Sequence, residues 1–213
     1  MPDSATDKLI AGLSQNLSAV RPLRPPVLRA LLWLGAVTLV VAFGLVRWGK
    51  FDIFMARNAD PRLALECAAT LLTGITAIIA AFYLSLPDRT SLWRYAPIPP
   101  LLLWVATSGL GCLQYGLGWG PAGHHMGESP HCFRFIVMVS LPLALLLYLV
   151  LRRARPIQPM PVALTAALGV AALAAFILQF FHPFDSTLTD LAAHFAAVLV
   201  VIGLAAATRR LLS

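Results

Sequence analysis

Apolar residues in this chain gather into six long runs, at about 27–47, 63–86, 96–117, 133–151, 160–181 and 188–208. Runs of roughly 18 or more apolar residues are long enough to cross about 30 Å of hydrocarbon as a helix. The alternating ten-residue segments of a membrane β-barrel are absent. The pattern predicts an all-α integral membrane bundle of six transmembrane helices over residues 27–213. A short polar segment, residues 1–26, precedes it. Within that segment Leu9, Ile10, Leu13, Leu17 and Val20 recur at helical spacing and form one apolar stripe. Thr6 or Asp7 can cap its start, and Pro22, Pro25 and Pro26 end it. So short an amphipathic helix is marginal alone. It needs a partner surface, either a membrane interface or a protein groove.

The spans carry their own punctuation. Thr70, Thr73, Gly74 and Thr76 in the second are small residues that suit close helix packing. Cys67, in the same span, reads as a packed small hydrophobe. Pro87-Asp88-Arg89-Thr90-Ser91 reads as a tight turn, and Pro97, Pro99 and Pro100 sit where a helix start tolerates missing N–H groups.

Charge then orients the bundle. Only 12% of the 213 residues are charged, against about 25% in an ordinary soluble domain. With the N-terminus placed inside, the inner segments hold eleven Lys and Arg and three acids, a balance of +8. The outer segments hold five cations and six acids, a balance of −1. Excess Lys and Arg marks the cytoplasmic side, so both termini are expected there. The net charge of +7 is thus a topology signal and not a nucleic-acid signature. The first 26 residues hold no apolar core, so no cleaved signal peptide is expected.

The reactive side chains fall on the outer side. Cys112 closes the third run and Cys132 opens the fourth, with nineteen residues between them. The intervening loop is rich in turn residues and brings His124, His125, Glu128 and His131 into the same region. His182, Asp185, Asp190 and His194 cluster around the last outer turn, and Asp190 and His194 are one helical turn apart. The cysteines admit three readings: a structural disulfide, a redox or thiophilic-metal sensor, or catalytic thiol exchange. No C-x-x-C pair supports the third. Thiolate and imidazole suit soft or borderline cations, but the Cys/His spacing matches no standard zinc pattern. The second cluster is either a helix-end hydrogen-bond network or part of a sensing pocket. No nucleotide loop and no hydrolase signature occur. Transporters place polar groups near mid-membrane, and here the inner halves of the spans are apolar. Two alternatives stay open: a quinone-linked thiol oxidoreductase and a small-ligand transporter of the inner membrane.

The chain resembles the NrsF-type family, negative regulators of sigma F, over nearly its full length. The carriers are Asp7-Lys8-Leu9-Ile10-Ala11-Gly12-Leu13, Arg24-Pro25-Pro26, Leu71-Leu72-Thr73-Gly74 and Ser85-Leu86-Pro87-Asp88-Arg89. With them stand Gly111-Cys112-Leu113, Gly120-Pro121-Ala122-Gly123, Cys132-Phe133-Arg134-Phe135-Ile136, Ser140-Leu141-Pro142, His182-Pro183-Phe184-Asp185-Ser186 and Ala193-His194. Members often have a cysteine beside the histidine of the last outer turn; here Pro183 follows His182, so the resemblance implies no third sensing cysteine. It implies a six-span anti-sigma factor of the bacterial inner (cytoplasmic) membrane, not an enzyme and without a resident cofactor. Residues 1–26, through Asp7, Leu9, Ile10, Leu13 and Leu17, would hold an extracytoplasmic-function sigma factor. An outer oxidant or heavy metal, with a soft metal ion as the signal, would act on Cys112 and Cys132 and release it. Direct nucleic-acid contact is not expected.

Overall fold

The computed structural model describes residues 4–15, 22–116, 129–181 and 188–212. Among them it is all helical: α1 (Ser4–Gln15), α2 (Pro26–Trp48), α3 (Phe51–Arg57), α4 (Pro61–Leu84), α5 (Ile98–Gly116), α6 (Ser129–Leu151), α7 (Pro159–Leu178) and α8 (Leu188–Thr208). Short 3₁₀ turns follow at Ser91–Tyr95, Arg152–Ala154 and Arg209–Leu212. Four helices are long and apolar enough to cross a membrane: Pro26–Trp48, Pro61–Leu84, His131–Ala154 and Pro159–Leu178. α5, with 19 residues, and α8, with 21, stand at the other two expected spans.

Local chemistry sets these helices. Pro26, Pro61 and Pro159 occupy first-turn positions of α2, α4 and α7, where their missing N–H costs nothing. Asp60 caps α4 by accepting a 2.7 Å hydrogen bond from the Arg62 backbone N–H. In the apolar interior, hydroxyls bond back along their own helix: Thr70 to the Glu66 carbonyl at 2.7 Å, Thr73 to Ala69 at 2.8 Å, Thr165 to Pro161 at 2.8 Å. Pro142 lies inside α6 and leaves one helical hydrogen bond unmade.

α7 is the central helix, packed on α4, α6 and α8. Its alanines and Gly169 give three neighbours room to approach, and most of it is buried. The tightest seam is with α4. A methyl added at Gly74 would lie 2.8 Å from the Leu173 side chain, and one at Gly169 would lie 2.8 Å from the Ile78 side chain. Each glycine thus receives the partner's residue four positions after the partner's own reference point: Ile78 follows Gly74 by four, and Leu173 follows Gly169 by four. The crossed order shows that α4 and α7 run antiparallel. α2, by contrast, packs chiefly on α4. Its outer face bares Leu39, Val40, Phe43 and Val46, each about 70% exposed or more. Apolar surface of that extent is what a membrane-spanning helix presents on its outer face.

Two features go beyond the apolar pattern. The segment between α2 and α4 contains a helix, α3, that no apolar periodicity announces. Spans three and four are neighbours in sequence but not each other's main partners: α5 packs on α4, and α6 on α7 and α8.

Candidate functional site

Contacts divide the bundle into two ends. One, the cysteine end, gathers the close of α2, α3, the start of α4, the close of α5, the start of α6 and the close of α7. The Lys50 N–H donates to the Phe180 carbonyl at 3.1 Å. Phe54 stacks on Phe180 at 4.0 Å, with Phe51 and Phe176 edge-on to the same ring. Phe135 of α6 meets Phe181 at 5.5 Å.

Beside this aromatic lock is a buried charge group. Glu66, in the second turn of α4, is almost wholly buried. Its carboxylate lies 3.7 Å from an Arg57 nitrogen and 3.8 Å from an Arg62 nitrogen. These separations are ion-pair distances, too long for hydrogen bonds. Arg62 reaches on to α5, its Nη1 donating to the Thr107 carbonyl at 3.5 Å. The guanidinium then lies against Gly111, so close that a side chain there would collide with it. Gly111 directly precedes Cys112. The i, i+4 spacing of Arg62 and Glu66 was a visible signal; the reach of Arg57 across the α3–α4 turn was not.

The expected sensor residues are described only in part. Cys112 lies in α5, four residues before its end, and its side chain is outside the described set. Cys132 lies in the first turn of α6 and is 1% exposed, packed with Ile136, Ala174, Ala175, Leu178 and Ala197. Trp104 of α5 touches the same cluster. His131, one residue earlier, is exposed. His124, His125, Glu128, His182 and Asp185 lie outside the described residues, as does Leu17. Asp190 and His194 stand one turn apart on α8, His194 half-buried, while the Asp190 side chain is outside the described set. Among the described residues no three His, Cys, Asp or Glu side chains converge as a metal site. Cys67 is buried in α4, as a packed small hydrophobe should be.

The opposite, arginine end is built differently. Arg29 at the start of α2 donates to the Val150 carbonyl of α6 at 3.0 Å and lies over the Phe82 ring at 5.2 Å. Tyr83 stacks on Trp93 at 3.9 Å. Arg152 and Arg153 are exposed beside it, with Arg209 and Arg210 closing α8. Preceding this end in sequence is α1. All twelve of its residues are exposed, Leu9 and Leu13 each at 63% and Ile10 at 58%, with Asp7 in its first turn.

This architecture defines a helical membrane protein that carries an N-terminal amphipathic helix outside its core. The chain belongs to the NrsF family, negative regulators of sigma F, whose pattern matches residues 13–213. The match takes in the whole bundle and begins at Leu13, so most of α1 precedes it. No curated protein and no solved structure matches the chain.

Proposed function

We propose that the protein is a six-span anti-sigma factor of the bacterial inner membrane that holds an extracytoplasmic-function sigma factor through α1. The observation that carries this reading is the uncovered apolar stripe Leu9, Ile10 and Leu13. An amphipathic helix of 12 residues is marginal in water and gains its order from a partner groove. Family membership supplies the partner's kind, a sigma factor. The arginine end faces the cytoplasm by the positive-inside rule, which puts α1 and the partner on the same side. α5 and α8 cross the membrane with the other four helices, and the C-terminus is cytoplasmic.

The test is co-purification of the sigma factor with the full chain, wild type and Leu13→Asp. A charge placed in a desolvated groove removes a hot-spot contact of about 2 kcal/mol or more, roughly a thirtyfold loss of affinity. The expected result is loss of capture with unchanged membrane insertion. Retained capture would move the contact to the cytoplasmic loops. A periplasmic reporter reading at Ser213 would reverse the orientation and defeat the scheme.

Release is assigned to the cysteine end. A change in the oxidation or soft-metal occupancy of Cys112 and Cys132 repacks the ends of α5 and α6, with Trp104 and the Gly111–Arg62 contact as the coupled neighbours. A packed bundle moves between discrete arrangements, and a signal shifts it only through different affinity for the two. Cys112→Ser and Cys132→Ser are expected to keep sigma capture and lose induction by oxidant or metal. Normal induction in both would eliminate the switch. Release under all conditions would make the cysteines a structural staple.

A further inference from the structure

A cavity of about 370 Å³ lies between α6, α7 and α8, a size within the range of about 300–1,000 Å³ typical of small-ligand sites. It is not at the cysteine end. On α6 it extends from Ser140, at mid-helix, to Leu151 at the arginine end. At 1.5 Å per residue that is about 16 Å, half of the roughly 30 Å hydrocarbon core and so the depth of one leaflet. Its floor is made by alanines, Ala163, Ala166 and Ala167 of α7 among them, which leave a depression where longer side chains would fill it. Leu141, Leu145 and Leu204 on its rim are half-exposed, so the depression opens sideways to lipid. Where it meets the membrane surface it is lined by Thr208 and Arg209. Arg152, Arg153 and Arg210 stand at the same end.

We propose that this groove is a binding site for one anionic phospholipid of the leaflet at the arginine end, an acyl chain lying along α7 and the headgroup phosphate on Arg209. Apolar lining matches the chain, and the arginine matches the phosphate in planar, forked geometry. Basic pockets between membrane helices select anionic headgroups in this way. The depth of one leaflet and the position of Arg209, the one charged lining residue among the described residues, at its mouth agree with a lipid. The site rests on the membrane reading of the bundle but not on the sigma-factor reading.

The test uses the full chain, delipidated in detergent and titrated separately with phosphatidylglycerol and phosphatidylcholine of identical acyl chains, with bound lipid counted by native mass spectrometry. One phosphatidylglycerol is expected to bind in clear preference to phosphatidylcholine. Arg209→Gln is expected to lower that preference about fivefold, the worth of one arginine at an anionic surface. Ala205→Phe, which fills the groove, is expected to reduce binding of both lipids. A melting curve checks the fold of each variant, Arg209→Gln included, since Arg209 also donates to the Ala206 carbonyl. Equal binding of the two lipids, or an unchanged preference in Arg209→Gln, would overturn the proposal. So would efficient disulfide cross-linking of two Leu145→Cys chains in membranes, which would give the groove to a second copy. Failure of the wild-type chain to resist alkaline extraction from membranes would instead overturn the membrane reading, and this site with it.

Discussion

Apart from the buried Arg29, the two ends of the bundle handle arginine in opposite ways. At the cysteine end Arg57 and Arg62 turn inward onto Glu66. At the arginine end Arg152 and Arg153 stand in solvent, and the single acid beside Arg89, Asp88, is itself exposed and 3.4 Å from it. A buried guanidinium needs compensation, from a carboxylate at the cysteine end and, for Arg29 at the other, from the Val150 carbonyl and the Phe82 ring. Among the described residues, Arg57 and Arg62 of the first end are therefore compensated within the chain. The second leaves most of its positive charge exposed, and by our proposals its partners are anionic lipid and the sigma factor.

Breaking the cysteine end should have the largest effect. Glu66→Ala removes the carboxylate that faces the buried Arg57 guanidinium and the partly buried one of Arg62 and should cost about 3 kcal/mol, read as a drop in the melting temperature of the detergent-solubilised chain. Replacing Arg57, Glu66 and Arg62 together by Met, Leu and Met should recover most of that loss, because the desolvation cost disappears with the charges. A silent Glu66→Ala would remove the basis of the contrast. Gly111→Val comes next. The new side chain displaces the Arg62 guanidinium, costing about 1–3 kcal/mol, and in an Arg62→Met background the penalty should shrink, a coupling that a double-mutant cycle reads directly. Phe54→Ala removes the ring stacked on Phe180 and should cost about 0.5–1.5 kcal/mol beyond the lost apolar burial.

The arginine end should tolerate more. Arg29→Met gives up one hydrogen bond to Val150 and the contact with Phe82, about 1–2 kcal/mol together. The smallest effect is expected for Arg152→Gln with Arg153→Gln: these exposed side chains should leave stability within about 0.5 kcal/mol, while a reporter fusion at Ser213 registers any weakening of orientation. Equal sensitivity at both ends would erase the distinction.

Much of this molecule is legible along the chain. The run at 188–208 coincides with α8, that at 27–47 with α2 to within a residue at each end, and the other four fall within a few residues of their helices. These boundaries follow from local causes: the apolarity a segment needs to leave water, prolines at first turns, and charges that stay outside. α1 is legible for the same reason, since the spacing of Leu9, Ile10 and Leu13 lies within one element. α3 was not, because seven residues held by Phe51 and Phe54 against Phe180 owe their order to a ring 126 positions away from Phe54.

Which helix meets which was decided only by the tertiary structure. The long helices are apolar on most of their faces, so hydrophobicity alone does not say which side meets another helix. Fit decides instead. Gly74 against Leu173 and Gly169 against Ile78 draw α7 to the centre beside α4, while α5 and α6, joined in sequence, pack on different partners. The burial of Cys132, the reach of Arg57 to Glu66 and the groove beside Arg209 all follow from that arrangement. The sequence contains each of those residues and the spacing within each helix. Their meeting depends on contacts between distant segments, and only the packed bundle specifies those.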